Sequence, residues 1–104
     1  MEKFVFVRNM DETTPSCRTV YEYLWKGKPV DIGILENGNG LKFFRLPFRY
    51  VSCSYYAGRW DYNFVPGLSE LTYDELSAIR DEIDDIMKFT DLLSDDLRKK
   101  GVDI

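Results

Sequence analysis

The stretch that decides the fold is residues 72–101, TYDELSAIRDEIDDIMKFTDLLSDDLRKKG. Thr72 and Glu75 have the spacing of a capping box, in which each side chain satisfies a backbone N–H of the other residue at the start of a helix. Acidic residues fill the first turns and basic residues fill the last, as the helix dipole favours. Gly101 can take the left-handed conformation that ends a helix. These signals predict a helical segment over residues 72–100.

Six apolar side chains in this segment follow the three- and four-residue spacing of one helix face. They are Leu76, Ile79, Ile83, Ile86, Leu93 and Leu97. Thr90 stands where the next apolar residue is due, and a straight helix here would be about 43 Å long, against an expected radius of gyration of about 13 Å. We therefore expect a break near residues 89–91, giving one broken helix or two helices. In the less favoured alternative, an unbroken helix extends beyond the sheet and its apolar seam pairs with a second copy.

The residues before this segment predict short strands, because apolar and polar side chains alternate between turn signals. The predicted strands are residues 3–8, 17–26, 30–34, 41–46, 48–56 and 59–65. Asn37-Gly38 predicts a tight hairpin, and Pro47 predicts a bend or an edge. Short connections favour pairing between neighbours. The sequence therefore predicts one α+β domain, with an antiparallel meander of five or six strands (residues 3–65) covered on one face by the helical segment.

Composition restricts the class of protein. The chain has 104 residues, of which 44% are hydrophobic and 15% aromatic, which is enough for one ordered core. No apolar run approaches the ~20 residues of a membrane span, and the N-terminus lacks the pattern of a signal peptide, so we expect a cytoplasmic protein that does not contact membranes. Cys17 and Cys53 are isolated in the sequence, which predicts two buried, reduced thiols.

Missing residue types exclude several kinds of catalysis. The chain has no histidine, which excludes Ser-His and Cys-His arrangements and the usual acid–base group near neutral pH. It also lacks a glycine-rich phosphate loop and the ligand spacing of a zinc site. We therefore expect a protein that is not an enzyme and that binds no cofactor.

Charge is divided unevenly along the chain. The net charge of −4 combines +3 over residues 1–60 with −7 over residues 61–104. The helical segment supplies a candidate acidic binding face: Asp74, Asp81, Glu82, Asp84 and Asp85. Such a face can dock on a protein partner with a basic groove, for example a nucleic-acid-handling protein. The plain alternative is an acidic surface that only confers solubility.

Two of these acids also permit a magnesium site. Glu82 and Asp85 are three residues apart and can share Mg²⁺, as helical carboxylate pairs do in some nucleotide pyrophosphatases. Such sites need a second pair, for which only Asp91 and Asp95 are available. A magnesium-dependent hydrolase is therefore the lowest-ranked hypothesis.

A basic and aromatic group in the later strands supplies the second binding hypothesis. Its members are Arg45, Arg49, Tyr50, Tyr55, Tyr56, Arg59 and Trp60. Arginine beside exposed rings can hold a phosphate and stack a base, so a nucleotide is the alternative ligand, bound where two copies meet if the protein is a homodimer. The plain alternative is that these aromatic residues are ordinary strand residues, half of which face the core.

These observations favour a small acidic binding or inhibitor protein that acts by protein–protein contact. The contact would be made through the acidic helix face or through residues 59–62, Arg-Trp-Asp-Tyr. Small acidic proteins without catalytic motifs are common among the counter-defence proteins of phages and mobile elements, so we expect such an origin by association. Nucleotide binding or sequestration is the alternative.

Overall fold

Six strands and one helix make up the computed structural model, which describes residues 3–10, 16–36 and 40–104. The strands are β1 (Phe4–Asn9), β2 (Cys17–Trp25), β3 (Lys28–Leu35), β4 (Gly40–Arg45), β5 (Val51–Tyr56) and β6 (Arg59–Phe64), and the helix is α1 (Tyr73–Lys99). Each strand pairs antiparallel with the next, so the spatial order equals the chain order. The predicted α+β fold, a meander followed by a C-terminal helix, is confirmed.

Tight turns join two of the strand pairs. Lys26 and Gly27, and likewise Ala57 and Gly58, have positive φ angles at successive positions. This is the backbone pattern of type I′ turns, whose twist matches that of the strands they join. The Asn37-Gly38 hairpin predicted between β3 and β4 lies outside the described residues.

The sheet is weakest between β4 and β5, where the ladder contains two pairs among the described residues, Gly40↔Tyr56 and Leu41↔Tyr55. The chain leaves β4 after Arg45, passes through Pro47, and enters β5 only at Val51. The fifth strand therefore begins three residues later than predicted, because a proline cannot donate to a ladder and bends the chain away from it.

Helix α1 has both predicted caps. Thr72 and Glu75 form the full capping box. At the other end Gly101 has φ 84°, its N–H donates to the carbonyl of Arg98, and the N–H of Val102 donates to the carbonyl of Leu97. These are the two hydrogen bonds of a Schellman motif. Within the described residues, no helix is both long and apolar enough to cross a membrane.

The break expected near residues 89–91 is wrong, because α1 continues through them for 27 residues. Thr90 is buried in the helix, where its hydroxyl lies 3.1 Å from the carbonyl of Met87 and 2.7 Å from the hydroxyl of Tyr62. Since the threonine proton goes to the carbonyl, the tyrosine donates. A polar residue on the buried face is thus satisfied without ending the helix. The helix, about 40 Å long, matches the longest dimension of the molecule, 42 Å.

The core lies between α1 and one face of the sheet. Buried members from β2, β3 and β4 meet the second half of the helix. They are Tyr23, Trp25, Val30, Ile32, Ile34 and Leu41, packed with Phe89, Leu93 and Leu97. Opposite flanks of α1 contact β2 through Asp96 and β6 through Ser94, so the sheet curves around the helix. The predicted thiols, Cys17 and Cys53, are both buried, and neither forms a disulfide among the described residues.

Candidate functional site

Two of the five predicted acidic residues face the sheet instead of solvent. Glu82 Oε1 accepts the backbone N–H of Tyr50 at 2.7 Å and that of Val51 at 3.1 Å, where β5 begins. Asp85 accepts the indole N–H of Trp25 at 3.1 Å and pairs with the ammonium group of Lys26. The structure therefore separates these two residues of the predicted acidic face from the other three, because both carboxylates hold the helix against the sheet.

The same contacts bear on the magnesium hypothesis. Glu82 reaches the start of β5, whereas Asp85 reaches the turn between β2 and β3, so the two carboxylates turn to different parts of the sheet. Within the described residues, no group of three or more potential ligands is placed to hold a metal ion. These contacts give Glu82 and Asp85 a structural role.

The other three predicted acids lie on the side of α1 turned away from the sheet. Asp74, Asp81 and Asp84 are exposed, and Asp91, which was not among the predicted residues of this face, continues the row. We call these four residues the acidic face. In the described part of the chain, none of the four makes a hydrogen bond or an ion pair. The row runs about 25 Å along the helix and also carries Lys88.

The predicted basic-aromatic group does not form one site. Tyr55 is buried, and Trp60 donates its indole N–H to Ser94 at 2.9 Å, so both belong to the helix-covered core. Arg49 lies over the ring of Tyr50 where the chain enters β5, with 5.3 Å between the guanidinium carbon and the ring centroid.

The rest of this group lies on the sheet face turned away from α1. Arg45 pairs with the largely buried Asp31 at 3.2 Å. Tyr56 is opposite Arg59 in the β5–β6 ladder, and Arg59 in turn pairs with Asp61 at 3.0 Å. The structure thus places the seven residues in three separate surroundings.

Polar contacts under the helix were not predicted from the sequence. Tyr23 donates to Asp96 at 2.7 Å, and burial together with this bond raises the pKa of Tyr23 far above its ordinary value. Burial also raises the pKa of the Cys53 thiol to about 12. At the helix start the pKa of Glu75 is lowered, because its carboxylate accepts the backbone N–H and then the hydroxyl of Thr72. The tyrosines and the tryptophan that alternate along β2 could have indicated these contacts, because the O–H of a buried tyrosine and the N–H of a buried tryptophan usually form hydrogen bonds.

The structure also shows an apolar surface beside the free side of β6. Thr90 and Ser94 contact Tyr62 and Trp60 of this strand, so this flank of α1 faces β6. Toward the helix start the same flank carries large side chains that remain partly exposed. With two side chains of β6 they form what we call the apolar strip: Tyr62 (43% exposed), Phe64 (61%), Leu76 (53%), Ile83 (36%) and Met87 (51%).

The apolar strip is concave. Two grooves adjoin at Phe64, one of about 350 Å³ toward Leu71 and Leu76 and one of about 260 Å³ toward Ile83. The predicted stripe of α1 is therefore buried only in part, because the first half of the helix extends beyond what β6 covers. Leu76 and Ile83, expected in the core, line these grooves instead.

Comparisons of the chain with protein-family models, with curated protein sequences and with solved structures found no match.

Proposed function

We propose that the protein is a non-enzymatic binding protein that acts by protein–protein contact, with its acidic face docked in a basic groove of a nucleic-acid-handling partner. The observation that carries this proposal is the division of the acids on α1. Glu82 and Asp85 are engaged by the sheet, whereas the four acids of the acidic face have no internal partner among the described residues.

An unengaged carboxylate remains available for charge-assisted hydrogen bonds to a partner's lysine or arginine. Four of them on one rigid helix also attract a basic surface from a distance and raise the association rate. A cytoplasmic inhibitor of a nucleic-acid enzyme, of the kind that phages and mobile elements use in counter-defence, fits such a surface.

The test compares two charge-reversal variants with equal change in net charge. Asp81→Lys with Asp84→Lys alters the acidic face, and Glu36→Lys with Asp103→Lys alters exposed acids elsewhere. Tagged proteins capture partners from a cell extract at low salt, and each captured protein is then purified and titrated. We expect a partner with a basic surface whose association rate falls by about 10-fold or more for the first variant and with added salt.

The control variant should bind that partner as the wild type does. Equal binding by the two charge-reversal variants would contradict the proposal, and so would binding that does not weaken with salt. Circular dichroism of each variant establishes that the fold is retained.

Nucleotide binding is a second candidate, favoured by the sheet face turned away from α1. Tyr56 is 57% exposed beside Arg59, and the ammonium group of Lys42 lies 5.2 Å from the ring centroid of the exposed Phe44. Exposed rings beside cations can stack bases and hold phosphates. A panel of nucleotides should then raise the melting temperature by several degrees, an effect lost in Arg59→Ala. A panel without any shift would refute this candidate.

A further inference from the structure

The free edge of β6 presents unpaired backbone groups. β6 is the last strand of the sheet and pairs only with β5 among the described residues. The N–H of Val65 donates to the carbonyl of Tyr50 across this ladder. Hydrogen-bonding direction alternates along an antiparallel strand, so the N–H and carbonyl groups of Trp60, Tyr62 and Phe64 point to the free edge. Such an edge is a template for another strand.

The apolar strip lies beside this edge. Ile83, Met87, Thr90 and Ser94 follow one another at four- and three-residue steps, so they share the flank of α1 that faces β6. The five side chains of the strip together expose on the order of 500 Å², near the upper range for the largest apolar patch of a monomer. A stable interface buries about 800 Å² per partner, which the strip, the β6 backbone and their polar surroundings can supply.

We infer that this surface is the interface of a homodimer, in which β6 pairs antiparallel with β6 of a second copy and the two apolar strips cover each other. A two-fold axis at Tyr62 relates the copies, so the sheet continues through twelve strands. The axis also brings the first halves of the two helices side by side on the same face of the sheet.

The charges of β6 favour one register. With Tyr62 opposite its own copy, Trp60 faces Phe64 and Asp61 faces Asn63, and no two like charges are opposed. A shift by two residues in one direction places Asp61 opposite Asp61, which is destabilising. A shift in the other direction brings Pro66 into a position that needs an N–H.

The ion pair within β6 also favours pairing with a second copy. Arg59 and Asp61 neutralise each other within one chain at 3.0 Å, so the edge carries little charge to repel an identical strand. The acidic face lies on the side of α1 away from the sheet and stays open in the dimer. The dimer therefore does not depend on the proposed function, and either can fail without the other.

The test is the molar mass in solution by light scattering at about 10 and about 200 µM, concentrations that bracket a dimer with a Kd on the order of tens of micromolar. We expect the wild type to approach twice 12.2 kDa at the higher concentration. Phe64→Lys and Met87→Lys place a cation in the strip and should give 12.2 kDa at both concentrations. The matched control Val5→Lys alters a residue of similar exposure (50%) on β1, at the opposite edge of the sheet, and should dimerise like the wild type.

Two results would overturn the inference. One is a wild-type mass of 12.2 kDa at both concentrations, which would leave the strip to another occupant. The other is dimerisation that survives both strip variants or is lost in the control. Met87 lies on the helix surface, and lysine has a high helix propensity, so Met87→Lys should fold. This variant keeps the test decisive if Phe64→Lys fails to fold.

Discussion

Removing the carboxylate of Glu82 tests whether this acid belongs to the fold or to a surface. In Glu82→Ala the backbone N–H groups of Tyr50 and Val51 lose their acceptor. Val51 is only 5% exposed, so water does not readily replace the lost bond there. A buried donor left unpaired costs about 1–3 kcal/mol, and Tyr50 is partly exposed and should cost less. We therefore expect the free energy of unfolding to fall by about 2–4 kcal/mol, a large share of the ~5–15 kcal/mol of a typical domain.

Two further variants make the comparison specific. Glu82→Gln keeps an oxygen acceptor but loses the charge-assisted strength of the bonds, so its loss should be about 1 kcal/mol. Asp81→Ala removes the neighbouring acid, which has no partner in the described part of the chain, and should change stability by less than ~0.5 kcal/mol. The assay is urea unfolding followed by circular dichroism, with an unchanged slope against denaturant showing that the same surface unfolds.

The reasoning would be refuted if Glu82→Ala and Asp81→Ala were equally stable. A rise in wild-type melting temperature with added Mg²⁺ that Glu82→Ala abolishes would instead support the magnesium hypothesis.

Two other perturbations probe groups with shifted pKa values or capping roles. Burial raises the pKa of Cys53 from its ordinary ~9 to about 12, so the thiol loses its proton at a lower pH in the unfolded chain than in the folded one. The free energy of unfolding should therefore stay constant below pH ~9 and fall as the pH rises toward 12. Cys53→Ala should reduce that fall, leaving the part due to Tyr23, and a thiol reagent should modify the wild type at neutral pH only as fast as the protein unfolds. Thr72→Ala removes the helix cap and should cost about 1 kcal/mol by urea unfolding. The pKa of Glu75 is lowered, so its contribution is present above its ordinary pKa and lost as the pH falls through the lowered value. This acid-range loss should be smaller in Thr72→Ala, which removes the hydroxyl but keeps the backbone N–H that Glu75 accepts.

Local signals predicted the strands and both ends of the helix. Alternation, turn residues and caps each act within a few residues, so they can be recognised without knowledge of the fold. The continuity of α1 could not be recognised in this way. Thr90 stays in the helix because its hydroxyl donates to the carbonyl of Met87 one turn earlier and accepts from the hydroxyl of Tyr62, 28 residues earlier in the chain. No local pattern specifies that contact.

The division of the acids was partly readable from the sequence. Glu82 is three residues after Ile79 and four before Ile86, so it belongs to the buried row, whereas Asp81 is turned about 100° away from it. The backbone donors that Glu82 meets come from an irregular stretch before β5, and only the structure shows them. The apolar strip was likewise hidden, since a stripe on a helix does not reveal how much of it the sheet covers.

The apolar strip and the β6 edge are tested most directly by amide hydrogen exchange, measured residue by residue by NMR. The two concentrations, about 10 and about 200 µM, lie on either side of a dimer Kd on the order of tens of micromolar. The outward amides of Tyr62 and Phe64 should become protected at the higher concentration in the wild type but not in Met87→Lys. The inward amides of Asp61 and Asn63, already facing β5, serve as the internal control and should be protected at both concentrations. Fast exchange of Tyr62 and Phe64 at both concentrations, beside protected Asp61 and Asn63, would contradict the paired edge.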